Sequence, residues 1–172
     1  GMSEISDGAL AEDDDKLYYV YLISCRGPSS TYVKIGLSCN LKRRISEIQT
    51  GCPFQIGHAF AVPSEYWEEA AGLEKLLHMM LRPQRLRAEW YEGTRAFFAM
   101  LELVLCRIND GAFSYDECQA MPDFVGPEFE IMLHRHDFCF YEVSLPIARG
   151  ADPLSSAVTT SPARIAKLLS KR

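Results

Sequence analysis

Leu17-Tyr18-Tyr19-Val20-Tyr21-Leu22-Ile23-Ser24 and Tyr32-Val33-Lys34-Ile35-Gly36-Leu37 are the two runs on which the fold turns. Both are rich in β-branched and aromatic residues, so each predicts a strand. The link from Cys25 to Thr31 contains Gly27-Pro28-Ser29-Ser30 and carries no helical pattern, which makes the pair an antiparallel hairpin. Side chains alternate across a strand. Val20 and Leu22 therefore share one face against Tyr19, Tyr21 and Ile23, and Val33, Ile35 and Leu37 share a face against Tyr32, Lys34 and Gly36. If the aliphatic sets meet in one core, Tyr21 and Lys34 project from the same side of the hairpin. A packed Tyr21 ring and a solvated Lys34 amine are the plain alternative.

Outward from the hairpin, Ser38 or Asn40 can cap a helix running to Thr50, with Gly51 as its stop. Phe54 to Val62 reads as a third strand. Pro63-Ser64-Glu65 opens a long helix to about Leu81, ended by Pro83. An Arg-rich loop leads to Ala88-Glu89-Trp90-Tyr91, and Gly93-Thr94 opens a further helix to about Ile108. Residues 17–108 thus form a β-β-α-β-α-(β)-α unit. Before it, residues 1–16 read as an acidic, flexible tail. After it, residues 109–172 mix prolines with short apolar runs: a short helix over Phe129–Arg135, a strand over Phe138–Leu145, and a final helix from Ser161-Pro162 to about Ser170. No role is assigned to that extension.

The chain has 172 residues, 48% apolar and 24% charged, enough for one domain with a proper core. No apolar run approaches the roughly 18 residues of a membrane span, and no export signal is legible, so a cytoplasmic protein is expected. Six cysteines without a C-x-x-C pair agree with reduced thiols. The net charge of −5 conceals an asymmetry. Residues 1–16 hold one Lys against six acids, residues 17–108 hold eleven Lys/Arg against eight acids, and residues 109–172 hold six against nine. The central unit is mildly basic and can meet phosphate.

Helical wheels then single out polar residues in unusual places. Leu41, Ile45 and Ile48 form a narrow apolar stripe; Arg43 lies far from it and Arg44 on its border. Arg44 is either a snorkelling side chain that covers the core edge or a guanidinium held to grip a phosphate. On the long helix, Trp67, Ala70, Leu73, Leu76, Leu77, Met80 and Leu81 fill an apolar half. Glu74 falls inside that half, and His78 follows on its margin. A carboxylate buried without a partner costs several kcal/mol. Glu74 therefore calls for a salt bridge, to Arg44, Lys34 or Arg85, or for a metal or active-site role. Arg82, Arg85 and Arg87 with Trp90 and Tyr91 read either as a basic, aromatic loop for nucleic acid or as a solvated connector. His134-x-His136-x-x-Cys139 lacks a fourth zinc ligand at a standard spacing. Walker, G-x-G-x-x-G, G-x-S-x-G and H-E-x-x-H motifs are absent.

Taken in order, the motifs resemble the GIY-YIG nuclease superfamily over about residues 17–100. Tyr19-Val20-Tyr21-Leu22-Ile23 stands at the first motif and Val33-Lys34-Ile35-Gly36 at the second. The run Gly36-Leu37-Ser38-Cys39-Asn40-Leu41-Lys42-Arg43-Arg44 follows the family's G-x-S-x-N-L-x-x-R, and Leu73-Glu74-Lys75-Leu76-Leu77-His78 matches the helix of its metal-binding glutamate. Glu89-Trp90-Tyr91 and Thr50-Gly51-Cys52-Pro53-Phe54 are similar to signatures of a phage-associated, DNA-binding branch. Lys34 replaces the second-motif tyrosine, and Ile48 stands where a histidine is often found. The resemblance implies an α+β fold with a small, mainly antiparallel three-stranded sheet flanked by helices. It further implies a metal-dependent DNA endonuclease, or a module of the same fold that binds DNA without cutting it. Tyr21, Lys34, Arg44, Glu74 and His78 would be its catalytic set, with Glu74 binding one Mg²⁺ or Mn²⁺. Lys42, Arg43, Arg85, Arg87 and Trp90 would contact DNA. A protein-interaction domain is the third reading.

Overall fold

The computed structural model describes residues 16–111, 138–154 and 158–172. The acidic tail, the helix expected at 129–135 and the two histidines of the zinc-like run lie outside them. Strands β1 (Tyr18–Arg26) and β2 (Thr31–Ser38) form the expected hairpin, with Tyr19 opposite Ser38 and Arg26 opposite Thr31. Helix α1 (Leu41–Gly51) follows, and the Asn40 side chain accepts from the Arg43 backbone N–H at 3.1 Å. Strand β3 (Ile56–Ser64) pairs antiparallel with β1. It absorbs Pro63 and Ser64, so helix α2 (Trp67–Met80) starts later than the proline suggested.

A 3-10 turn (Arg82–Gln84) then leads into β4 (Arg85–Arg87) and β5 (Trp90–Glu92). Helix α3 (Arg95–Asn109) is capped by Thr94, whose hydroxyl accepts from the Phe97 N–H at 3.0 Å. Strand β6 (Tyr141–Val143) and helix α4 (Pro162–Leu169) complete the described elements.

Among the described residues the sheet has six strands in the order β4-β5-β2-β1-β3-β6, all paired antiparallel. The expected three-stranded sheet is therefore corrected. Its three strands are the central ones, and both edges are extended by three-residue strands. Their pairing holds them in place: Val33 lies opposite Tyr91, and Phe60 opposite Glu142. Segments that short carry no alternation of their own, because a three-residue run fits a turn as well as a strand.

The sheet is covered on both faces. On one side Val20, Leu22, Val33, Ile35, Phe60 and Val62 pack under α2, α3 and α4, so the two aliphatic sets of the hairpin do meet in one core. Phe138, Phe140, Ile165, Leu168 and Leu169 belong to that same cluster, so residues beyond 108 supply part of it. On the other side Tyr19, Tyr21, Ile23 and Cys25 pack with Leu41, Ile45 and Ile48 of α1. Strand β1 is thus buried on both faces, which explains its unbroken apolar run. Trp67, counted in the apolar half of α2, is instead 51% exposed at its first turn. Among the described residues, no helix is long and apolar enough to cross a membrane, and Cys25, Cys39, Cys52, Cys106 and Cys139 are free thiols.

Candidate active site

Strand β5 covers β2 only from Tyr32 to Lys34. Its last contact is the Ile35 N–H, which donates to the Glu89 carbonyl at 3.1 Å. Beyond this point Gly36, Leu37 and Ser38 form an open edge, and there side chains from both layers converge. Tyr21 lies opposite Gly36 in the register. A Cβ at position 36 would land on the Tyr21 hydroxyl, so only glycine lets the ring lie across β2. The hydroxyl itself is fully buried and lies beside the Arg44 guanidinium without reaching hydrogen-bond geometry to it or to any other described group. The Arg44 guanidinium is close enough to pull the phenol's pKa down, but burial and the Glu89 carboxylate outweigh it and push the group up to about 12.

Lys34 projects on the same side as Tyr21. Its ammonium donates to Glu89 Oε2 at 2.9 Å and lies 5.3 Å from the centre of the Trp90 ring. The Lys34–Glu89 pair is partly exposed, at 15% and 38% for the two side chains. Arg44 sits on α1 with Arg43, and both reach Glu47, at 3.6 and 3.0 Å. Arg43 is the more exposed, as the wheel requires.

Glu74 comes from α2 and is half-buried. The salt bridges open to it from sequence are not formed. Lys34 is taken by Glu89, Arg44 by Glu47, and among the described residues Glu74 makes no ion pair or hydrogen bond. Burial, then the Glu89 charge, raise its carboxyl to about 7, against smaller opposing pulls from Lys34 and Arg44. Glu74, His78 and Glu89 each offer a ligand atom, all within 4.8 Å of one another.

His78 is placed in this cluster but is already engaged. Its Nε2 meets the Ile35 carbonyl at 3.0 Å and its Nδ1 meets the Tyr91 hydroxyl at 2.7 Å. The carbonyl only accepts, so Nε2 carries the proton. Burial, followed by the Arg85 charge, lowers the His78 pKa and keeps the ring neutral. Nδ1 then accepts from Tyr91, whose phenol burial pushes up to about 12. The Arg85 charge lies close enough to the Tyr91 phenol to pull against that rise. The His78–Tyr91 bond ties α2 to the β4–β5 hairpin.

Arg85 and Arg87 are exposed on β4, and Trp90 is half-buried beneath Lys34. Lys42 donates to the Ala148 carbonyl at 3.3 Å. It lines a groove of about 650 Å³ between α1 and Leu145, Pro146 and Ile147, apart from the acidic cluster.

Residues 18–107 match the T5orf172 domain. The chain belongs to this family. The match spans just over half of the chain and contains every nominated site residue. T5orf172 is a nuclease-related family, and its domain reads as nuclease-like and DNA-binding. No curated protein and no solved structure matches the chain.

Within this T5orf172 domain, sequence reasoning brought Tyr21, Lys34, Arg44, Glu74 and His78 to one place, but it missed two partners. Glu89 was seen only as part of a signature, and Tyr91 only there and in the basic, aromatic loop. Their roles depend on β5 lying against β2, and the one sequence signal was the Glu89-Trp90-Tyr91 run itself.

Proposed function

We propose that this chain is a metal-dependent DNA endonuclease of the GIY-YIG type. The observation that carries the reading is Glu74, a half-buried carboxylate without a cationic partner, beside Tyr21, Arg44 and Glu89 at an open sheet edge. The donors fit a hard divalent ion. Carboxylate oxygens are available, whereas both His78 nitrogens are occupied, and Mg²⁺ and Mn²⁺ prefer oxygen ligands with part of their water shell retained.

Glu74 would hold the ion, which when bound supplies positive charge against the leaving oxygen of a phosphodiester. Arg44, only loosely tied to Glu47, is the cation free to move onto a phosphate oxygen and grip it bidentately. Tyr21 stays protonated near neutral pH, so its hydroxyl orients water or phosphate rather than removing a proton. Lys34 fixes Glu89, and the His78–Tyr91 bond fixes the hairpin that presents Glu89. Arg85 and Arg87 carry positive charge on the outer edge of this hairpin, where a phosphate backbone would approach.

One observation favours a second reading, DNA binding without cleavage. Tyr21 is held near 12, and the nearest amine is committed to a carboxylate. Incubating supercoiled plasmid with the protein and Mg²⁺ or Mn²⁺ separates the readings, with Arg44→Ala as the control. Nicking by the parent alone supports the endonuclease. DNA binding without nicking supports the module.

A further inference from the structure

We propose that Glu89 is a second carboxylate ligand of the divalent ion, and that Lys34 is the counter-charge that keeps it in position. This deepens the endonuclease reading and rests on it.

Three observations lead there. The Glu74 and Glu89 ligand atoms lie within 4.8 Å of each other. Two oxygens bound to one Mg²⁺ are about 3 to 4.2 Å apart, from bond lengths of about 2.1 Å. Closing on an ion thus needs the two oxygens to approach by at most about 0.6 Å in opposite positions or about 1.8 Å in adjacent ones, within reach of side-chain rotation. Second, Lys34 Nζ bonds only Oε2 of Glu89, so Oε1 remains for a cation while the ammonium holds the carboxylate in place. Third, the Tyr21 hydroxyl is buried, has no partner at hydrogen-bond geometry, and feels both carboxylates as well as the nearby Arg44 guanidinium. A buried hydroxyl left unpaired beside two acids is the arrangement expected where a ligand, such as a water of the ion's shell, completes the site.

His78 is excluded from the ligand set by its own bonds. Taking Nδ1 would break the 2.7 Å contact with Tyr91, and taking Nε2 would strand the Ile35 carbonyl. The set is then two carboxylates plus water. That favours Mg²⁺ or Mn²⁺ over Zn²⁺, which takes nitrogen and sulfur donors more readily.

The test is Mn²⁺ titration of the full chain followed by electron paramagnetic resonance, which reads binding without DNA or turnover. Glu89→Gln should weaken Mn²⁺ binding roughly tenfold or more, and Glu74→Gln should weaken it at least as much. Glu89→Asp, which retains the charge but withdraws it by one methylene, should fall between Glu89→Gln and the parent. This second variant covers the case in which Glu89→Gln unfolds. If both Glu89 variants bind Mn²⁺ as the parent does while Glu74→Gln does not, the second ligand is refuted and the endonuclease reading stands. If the parent neither binds Mn²⁺ nor nicks plasmid, that reading falls and this inference with it.

Discussion

Replacing Glu74 by glutamine retains the shape of the side chain and removes its charge. In the ion-free protein that charge is a burden, because the folded state holds the carboxyl at about 7 against an ordinary 4.5. A tenfold change in proton affinity is worth about 1.4 kcal/mol, so this difference bounds the cost at about 3 kcal/mol. Water at the half-open site screens part of it, leaving ~1–2 kcal/mol. The pH dependence follows from the sign. Below pH 4.5 the carboxyl is protonated both folded and unfolded, and Gln changes little. Between 4.5 and 7 the unfolded chain ionises first, which pulls the parent toward unfolding. Above pH 7 the deficit is complete. In EDTA at pH 8, Glu74→Gln should therefore melt higher than the parent by roughly 3–6 °C, with the gain shrinking toward pH 4.5. Thermal melts followed by circular dichroism across pH 4.5 to 8 measure this. A variant that melts lower than the parent at pH 8 would mean that Glu74 is held in an ion pair, and the reasoning fails.

Three further outcomes are expected. Tyr21→Phe removes a buried hydroxyl without a partner, so it should stabilise the fold by about 1 kcal/mol in urea unfolding while slowing cleavage; a loss of stability would show that the hydroxyl is bonded. Arg87→Ala should weaken DNA binding uniformly across sequences and reduce the salt slope of log affinity by about 1; an unchanged slope would remove β4 from the interface. A fragment ending at Asp110 loses Ile165, Leu168, Leu169, Phe138 and Phe140 from the core, at roughly 1.5–3 kcal/mol each, which is comparable to the whole stability of a domain. Its circular dichroism should show no cooperative melt, whereas a melt like the parent's would show that residues 17–108 fold alone.

Much of the centre of this molecule was legible because its signals are local. The Tyr18–Arg26 and Thr31–Ser38 strands carry their own composition, Asn40 marks the start of its helix, and the α2 wheel exposed Glu74 as a carboxylate out of place. The edges were legible only in part. The Phe138–Leu145 run predicted a strand that forms over just Tyr141–Val143, and Ala88–Tyr91 offered one that forms at Trp90–Glu92, whereas Arg85–Arg87 read as a loop and becomes a strand only because β5 gives it a backbone partner. Which charge meets which was equally hidden. From sequence Lys34 was as good a partner for Glu74 as for any acid. The pairing of β5 with β2 gives it to Glu89, because Lys34 lies opposite Trp90 and Glu89 is the next residue along. The engagement of His78 Nδ1 by Tyr91 depends on the same pairing.

The most direct test is side-by-side plasmid nicking and gel-shift binding by the parent and Glu74→Gln, each in Mn²⁺ and in EDTA. Both proteins should shift DNA, and only the parent in Mn²⁺ should convert supercoiled plasmid to the nicked form. Equal nicking by Glu74→Gln, or nicking by the parent in EDTA, would contradict a metal-dependent site at Glu74.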